Sequence, residues 1–243
     1  MDISPIPTIL DIDVYTTSTT AGMQVGQQAM DSDGNLYRYG KSGAGSTAGK
    51  LQVTPAPNTD HHNIAVSAAV AIGATEVPVT FATTAIDAGE YDGGYLVVND
   101  GTGEGHRYKI SHTPAATAAA GAATIVLADP IKVALDTTSE VTLFHNTYLG
   151  FVEAAVEERR PAGVPLVDIA SGSYGWVQVK GIASVLQGDN TNVGEMVVQH
   201  ASTAGAVDAA STTYGTAFAY YEVGKAAVAG VSGEYNPVDL TIG

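Results

Sequence analysis

The densest set of potential metal ligands in the sequence is Asp60-His61-His62. Carboxylate and imidazole are ordinary ligands for zinc and related ions. Adjacent residues of an extended strand point to opposite faces, so His61 and His62 would not easily share one ion. The other histidines, His106, His112, His145 and His200, are scattered. Asp31-Ser32-Asp33-Gly34-Asn35 hints at a calcium loop. An EF-hand loop needs a bidentate Glu at its twelfth position; that position is Ser42, and a β-turn is the better account. Gly101-Thr102-Gly103-Glu104-Gly105 is glycine-rich. Its third glycine comes one residue too early for a dinucleotide fingerprint, and the next segment is strand-like rather than helical. It therefore reads as a hairpin loop.

Nucleophilic chemistry has no visible carrier. The chain has no cysteine, which excludes thiol nucleophiles, thiolate metal sites and disulfides. No G-x-S-x-G elbow presents a serine; Gly172-Ser173-Tyr174-Gly175 is the nearest fragment and lacks the spacing. Glu153, Glu157 and Glu158 lie close in sequence to Arg159 and Arg160, which reads as a solvated or interface charge patch. No catalytic, cofactor-binding or metal-binding residue is assigned, no cofactor is expected, and the chain reads as non-enzymatic. Trp176, the single tryptophan, lies beside Tyr174. It reads as a core anchor or, with Tyr174, as an intersubunit anchor, because Trp and Tyr are enriched at interface hot spots.

The elements that would hold these residues are short strands. Residues 1–22 carry Pro5 and Pro7 among Ile3, Ile6, Ile9, Leu10, Ile12 and Val14. Proline forbids a regular helix there and favours extended backbone. This segment is a first strand or an extended N-terminal arm that packs on something else, and Ile3, Ile6, Ile9 and Leu10 are candidate interface residues. Residues 23–57 form a hairpin region, with Asp33-Gly34 as its turn and Leu36-Tyr37-Arg38-Tyr39 as a strand, expected to pack with the C-terminal block. Residues 58–150 form a β-rich domain. In it Tyr95-Leu96-Val97-Val98 and His106-Arg107-Tyr108-Lys109-Ile110 predict a hairpin over 95–110. The run Ala115 to Ala123 has helical composition, but Thr117 and Gly121 interrupt it. Ala71 to Val77 faintly echoes Ala119 to Ile125, which reads as composition alone in preference to a duplicated hairpin entry. Residues 151–243 form a barrel or sandwich, with Gly175 to Gly181 as an alternating strand. The fold class is mainly β: short antiparallel strands in barrel or sandwich modules.

Composition narrows the partners. Lys and Arg number 10 against 25 Asp and Glu, a formal net charge of −15. So acidic a chain will not hold a nucleic-acid backbone by counterion release. No apolar run approaches the ~20 residues of a membrane-spanning helix, so no membrane partner is expected. The start, Met1-Asp2-Ile3-Ser4-Pro5, lacks the basic and apolar regions of a signal peptide. Charged residues are 14% of the chain, well below the ~25% usual in soluble domains. Many short strands with few charges need neighbours to bury their edges.

The order of these elements resembles virion structural proteins of tailed bacteriophages, specifically capsid decoration (cement) proteins. The resemblance rests on four stretches that span most of residues 22–190. They are Gly22-Met23-Gln24-Val25 through Asp33-Gly34-Asn35-Leu36-Tyr37-Arg38-Tyr39; Gly93-Gly94-Tyr95-Leu96-Val97-Val98-Asn99-Asp100-Gly101 with Tyr108-Lys109-Ile110; Leu127-Ala128-Asp129-Pro130 with Val133-Ala134-Leu135; and Tyr174-Gly175-Trp176-Val177-Gln178-Val179-Lys180-Gly181. It implies a non-enzymatic homotrimer on the outer capsid surface of the virion, bound to the major capsid protein and stiffening the shell. A tail or fibre component and a carbohydrate-binding module remain open. The latter would use exposed tyrosines such as Tyr214, Tyr220 and Tyr221.

Overall fold

The computed structural model describes residues 13–81, 83–117, 121–155, 159–210 and 221–242. Ile3, Ile6, Ile9 and Leu10 lie outside the described residues, as do Glu157, Glu158, Tyr214 and Tyr220. The described chain is built on sixteen strands. In order these are β1 (Gln28–Met30), β2 (Leu36–Ser42), β3 (Gln52–Val53), β4 (Ile64–Val66), β5 (Glu76–Phe81), β6 (Tyr95–Asp100), β7 (Arg107–His112) and β8 (Gly121–Leu127). They continue with β9 (Glu140–Phe144), β10 (Leu149–Glu153), β11 (Pro161–Pro165), β12 (Tyr174–Leu186), β13 (Met196–Gln199), β14 (Val207–Ala209), β15 (Glu222–Ala226) and β16 (Tyr235–Thr241). The mainly-β expectation is met. The described end of the alanine run is extended, since Gly121–Ala123 opens β8.

The chain divides into two compact units, Ala56–Asn146 and the combination of Met1–Pro55 with Thr147–Gly243. The first is a closed barrel in the order β4-β5-β8-β7-β6-β9. Alternation dictates it. On β5, Val77, Val79 and Phe81 turn inward, and on β8 Ala123, Ile125 and Leu127 do the same. Closure leaves no free edge, as full barrels require. The predicted hairpin is present: Leu96 pairs with Tyr108 and Tyr95 with Lys109. Its Gly101–Gly105 loop has φ of 75°, 88° and 83° at Gly101, Gly103 and Gly105. These left-handed positions explain the glycines without a phosphate.

The second unit is a ten-stranded sheet in the order β1-β2-β10-β3-β11-β12-β16-β15-β13-β14, with an added β2–β12 pairing. That pairing joins β2, β10, β3, β11 and β12 into a closed circuit. β12 is the spine: it pairs with β2 over Tyr174–Lys180 and with β16 over Lys180–Leu186. Its inward residues Val179, Ala183 and Val185 meet Val197, Val223, Val238 and Leu240 in one core cluster.

Candidate functional site

The Asp60-His61-His62 cluster does not assemble. Asn58 caps a short 3-10 turn over Thr59–His61 by accepting from the Asp60 amide at 3.0 Å. The turn drives His61 into the barrel interior and leaves His62 exposed. His61 Nδ1 lies 2.7 Å from the Tyr91 hydroxyl. Tyr91 in turn stacks on His145, with ring centroids 4.2 Å apart. Burial pushes the His145 imidazole below its ordinary value, against the opposing pull of Glu90. This is a packed aromatic–imidazole stack.

The Asp31 loop is a turn, as expected. Asp31 accepts from the amides of Asp33 and Asn35, the Asn35 side chain and the Tyr37 hydroxyl, all between 2.9 and 3.0 Å. Burial raises its carboxyl, but these four donors outweigh that and hold it below the ordinary value. Its lone pairs are spent on the hairpin. Glu153 is used the same way: it accepts from the Thr47 amide and hydroxyl and from Lys50. Asp168 holds the next amide, Ala48, at 2.8 Å.

One cluster went unread in the sequence, because its members are spread over twenty residues. Asp189, His200 and Asp208 present ligand atoms within 4.8 Å of one another. Asp189 follows the end of β12, His200 follows β13, and Asp208 lies in β14. His200 Nε2 is 3.6 Å from Asp189 Oδ2. His200 Nδ1 accepts the amides of Ser202 and Thr203 at 3.2 and 2.8 Å. A nitrogen that accepts two N–H groups carries no proton, so the ring proton sits on Nε2. Nε2 therefore points a hydrogen, not a lone pair, at the carboxylates. A divalent ion would need that proton removed. In the cluster His200 Nε2 faces the Asp189 carboxylate, with Asp208 alongside. Gly188 makes room for it, since a Cβ there would land on the imidazole.

Trp176 is 3% exposed and packs edge-on against Tyr39 at 5.2 Å. Its neighbours are Val14, Ala29, Tyr37 and Tyr39. Trp176 is buried in its own chain's core, where the β2–β12 pairing sets it opposite Tyr39. Tyr174 is partly exposed, stacks on Tyr39 at 5.9 Å and lies under the Lys41 ammonium. Tyr221 is exposed.

Among the described residues of the sheet unit, large apolar side chains other than Tyr221 reach solvent in two places. Val193, Met196, Val228 and Val231 are exposed on two loops and the start of β13. The loops are tied by reciprocal Thr191–Gly230 backbone bonds of 3.1 and 2.9 Å. The second place is a groove of about 510 Å³ whose walls include Tyr15, Leu166, Ile182 and Tyr235. Scattered exposed apolar residues need no explanation, but grouped ones mark contact surfaces. No helix among the described residues is long and apolar enough to cross a membrane. Compared with protein families, curated proteins and solved structures, the chain matches none of them.

Proposed function

We propose that the chain is a non-enzymatic capsid decoration (cement) protein of a tailed bacteriophage. It binds the outer surface of the major capsid protein shell as a homotrimer and stabilises it by adding buried area at subunit junctions. The resemblance of residues 22–190 supplies the class. The observation that carries it is the division of labour among side chains: the carboxylates of Asp31, Glu153 and Asp168 are spent on backbone donors, whereas Val193, Val228 and Val231 stand in solvent on one pair of bridged loops, with Met196 at the start of β13. Such an arrangement spends polar groups on rigidity and leaves apolar area for a partner. The net charge of −15 suits a shell exterior, where like-charged particles repel.

The test is solution mass followed by co-sedimentation with undecorated shells. A mass near 74 kDa, three times 24.8 kDa, and saturable co-sedimentation are expected. Val193→Asp with Val231→Asp should weaken shell binding about tenfold or more, through desolvated charge at the contact. A hexamer or larger ring would favour a tail component. A monomer that ignores the shells would overturn the reading.

A further inference from the structure

The groove beside β12 holds an unfilled strand position. Ser184 stands opposite Pro237 on β16. Proline has no N–H, so this is a non-hydrogen-bonded pair, and the Ser184 N–H and C=O point away from β16. The flanking groups on that side confirm the phase. The Ile182 carbonyl accepts from Gln178 Nε2 at 3.1 Å, and the Leu186 amide donates to the Gly49 carbonyl at 3.0 Å. Between these two capped positions, no bond closes on the Ser184 N–H or C=O among the described residues. They face the groove whose lining includes Ile182, Ala183 and Ser184.

Elsewhere the fold uses just this pair of groups. Ser18–Tyr174, Ser46–Ile169, Val70–Leu135, Ile86–Ala116 and Thr191–Gly230 are isolated bridges, each closed by two reciprocal backbone bonds. Ser184 offers the same donor and acceptor. Its groove is walled by apolar side chains left open to solvent: Tyr15 is 62% exposed, Ile182 56% and Tyr235 47%.

We infer that this groove is the docking site of the chain's own N-terminal segment, residues 1–12, which adds one bridge at Ser184. Three observations select that occupant. Tyr15 is itself part of the wall, so the segment is tethered within three residues of the site, at high effective concentration. Twelve residues span up to roughly 40 Å when extended, far more than the groove requires. The segment also has matching chemistry: Ile3, Ile6, Ile9, Leu10 and Ile12 for apolar walls, and Pro5 and Pro7 to bias the backbone toward the extended form. The inference is independent of the capsid reading, because it concerns the isolated chain.

Amide hydrogen exchange at Ser184 tests it. In the full chain this amide should exchange about 100-fold more slowly than in a variant lacking residues 1–12. A synthetic peptide of residues 1–12 should restore the protection. Burial of Trp176, read by its emission, reports that the truncated chain is folded. Should it not fold, the full-length Ile9→Asp/Leu10→Asp variant gives the same comparison. Ser184→Pro, which removes the donor and spares the β16 ladder, should weaken binding of a fluorescently labelled 1–12 peptide to the truncated chain, read by anisotropy. Equal exchange in the full and truncated chains would overturn the inference. Protection that grows with concentration, in step with a multiple of the monomer mass, would assign the groove to a second copy's segment and overturn it equally.

Discussion

Asp31 shows how a motif that looks like a ligand set becomes structure. Its four donors come from within six residues, so the turn reading was available from the sequence: Asp and Asn two to four residues apart hydrogen-bond their own backbone. Replacing Asp31 by Ala strands those donors and should cost about 1–2 kcal/mol, read by chemical denaturation at neutral pH. The acid has a pH signature. Its folded-state pKa lies below the ordinary value of 3.8, so its contribution is fully present above that value and is lost as the pH falls through the folded one. Wild type and Asp31→Ala should therefore converge in stability toward pH 2–3 and differ at pH 6.

His145 behaves oppositely to a surface histidine. Burial against Tyr91 lowers its affinity for protons, only partly offset by Glu90, while nearby His61 lowers it further. The unfolded chain then binds a proton that the folded barrel refuses. Stability is therefore present above the ordinary value of 6.5 and falls as the pH drops below it. His145→Phe preserves the stack and removes the titration. The prediction is a Tm that declines between pH 7.5 and 5 in the wild type and declines less in this variant; parallel curves would refute it. None of this was legible in the sequence, where His145 was one of several scattered histidines. Its burial follows from barrel closure, a long-range event.

Among the elements, strand existence was readable and strand partnership was not. Alternation at Val77, Val79 and Phe81 announces a half-buried strand, and the 95–110 hairpin follows from proximity along the chain. Nothing in Trp176 announces Tyr39 as its partner, because a period-2 pattern fixes a face and not a neighbour. The echo between Ala71–Val77 and Ala119–Ile125 gains meaning only in the barrel. Its ends enter β5 and β8, which pair directly with Val77 opposite Ile125. The isolated bridges are similarly silent in sequence, since they use backbone alone. Their weight can be measured. Ala116→Pro deletes the amide that donates to the Ile86 carbonyl at 3.0 Å, leaving a buried residue's acceptor unmet. A loss of about 1–3 kcal/mol in barrel stability is expected, while Ala116→Gly, which keeps the amide, should lose less.

At the scale of the whole molecule, the barrel is an insertion. The sheet unit leaves at Pro55 and resumes at Thr147, and the strands bordering the break pair directly, Val53 opposite Val152. The two ends of the insert are thus anchored on adjacent strands, so the sheet unit does not need the barrel to bring them together. The barrel carries its own core of Val77, Val79, Phe81, Leu96, Ile110, Ile125 and Val141 among others, and its sheet closes on itself without borrowing a strand. A domain with its own core and closed hydrogen bonding is able to fold alone. Residues 56–146 expressed by themselves should therefore unfold in one cooperative thermal transition. They should also keep the acid sensitivity assigned to His145, because Tyr91, Glu90 and His61 all lie within the fragment. Replacing the same residues in the full chain by a short Gly-Ser linker should leave Trp176 buried and its emission unchanged. A fragment without a cooperative transition would show that the barrel depends on the sheet unit, and an exposed Trp176 in the deletion would show the reverse dependence.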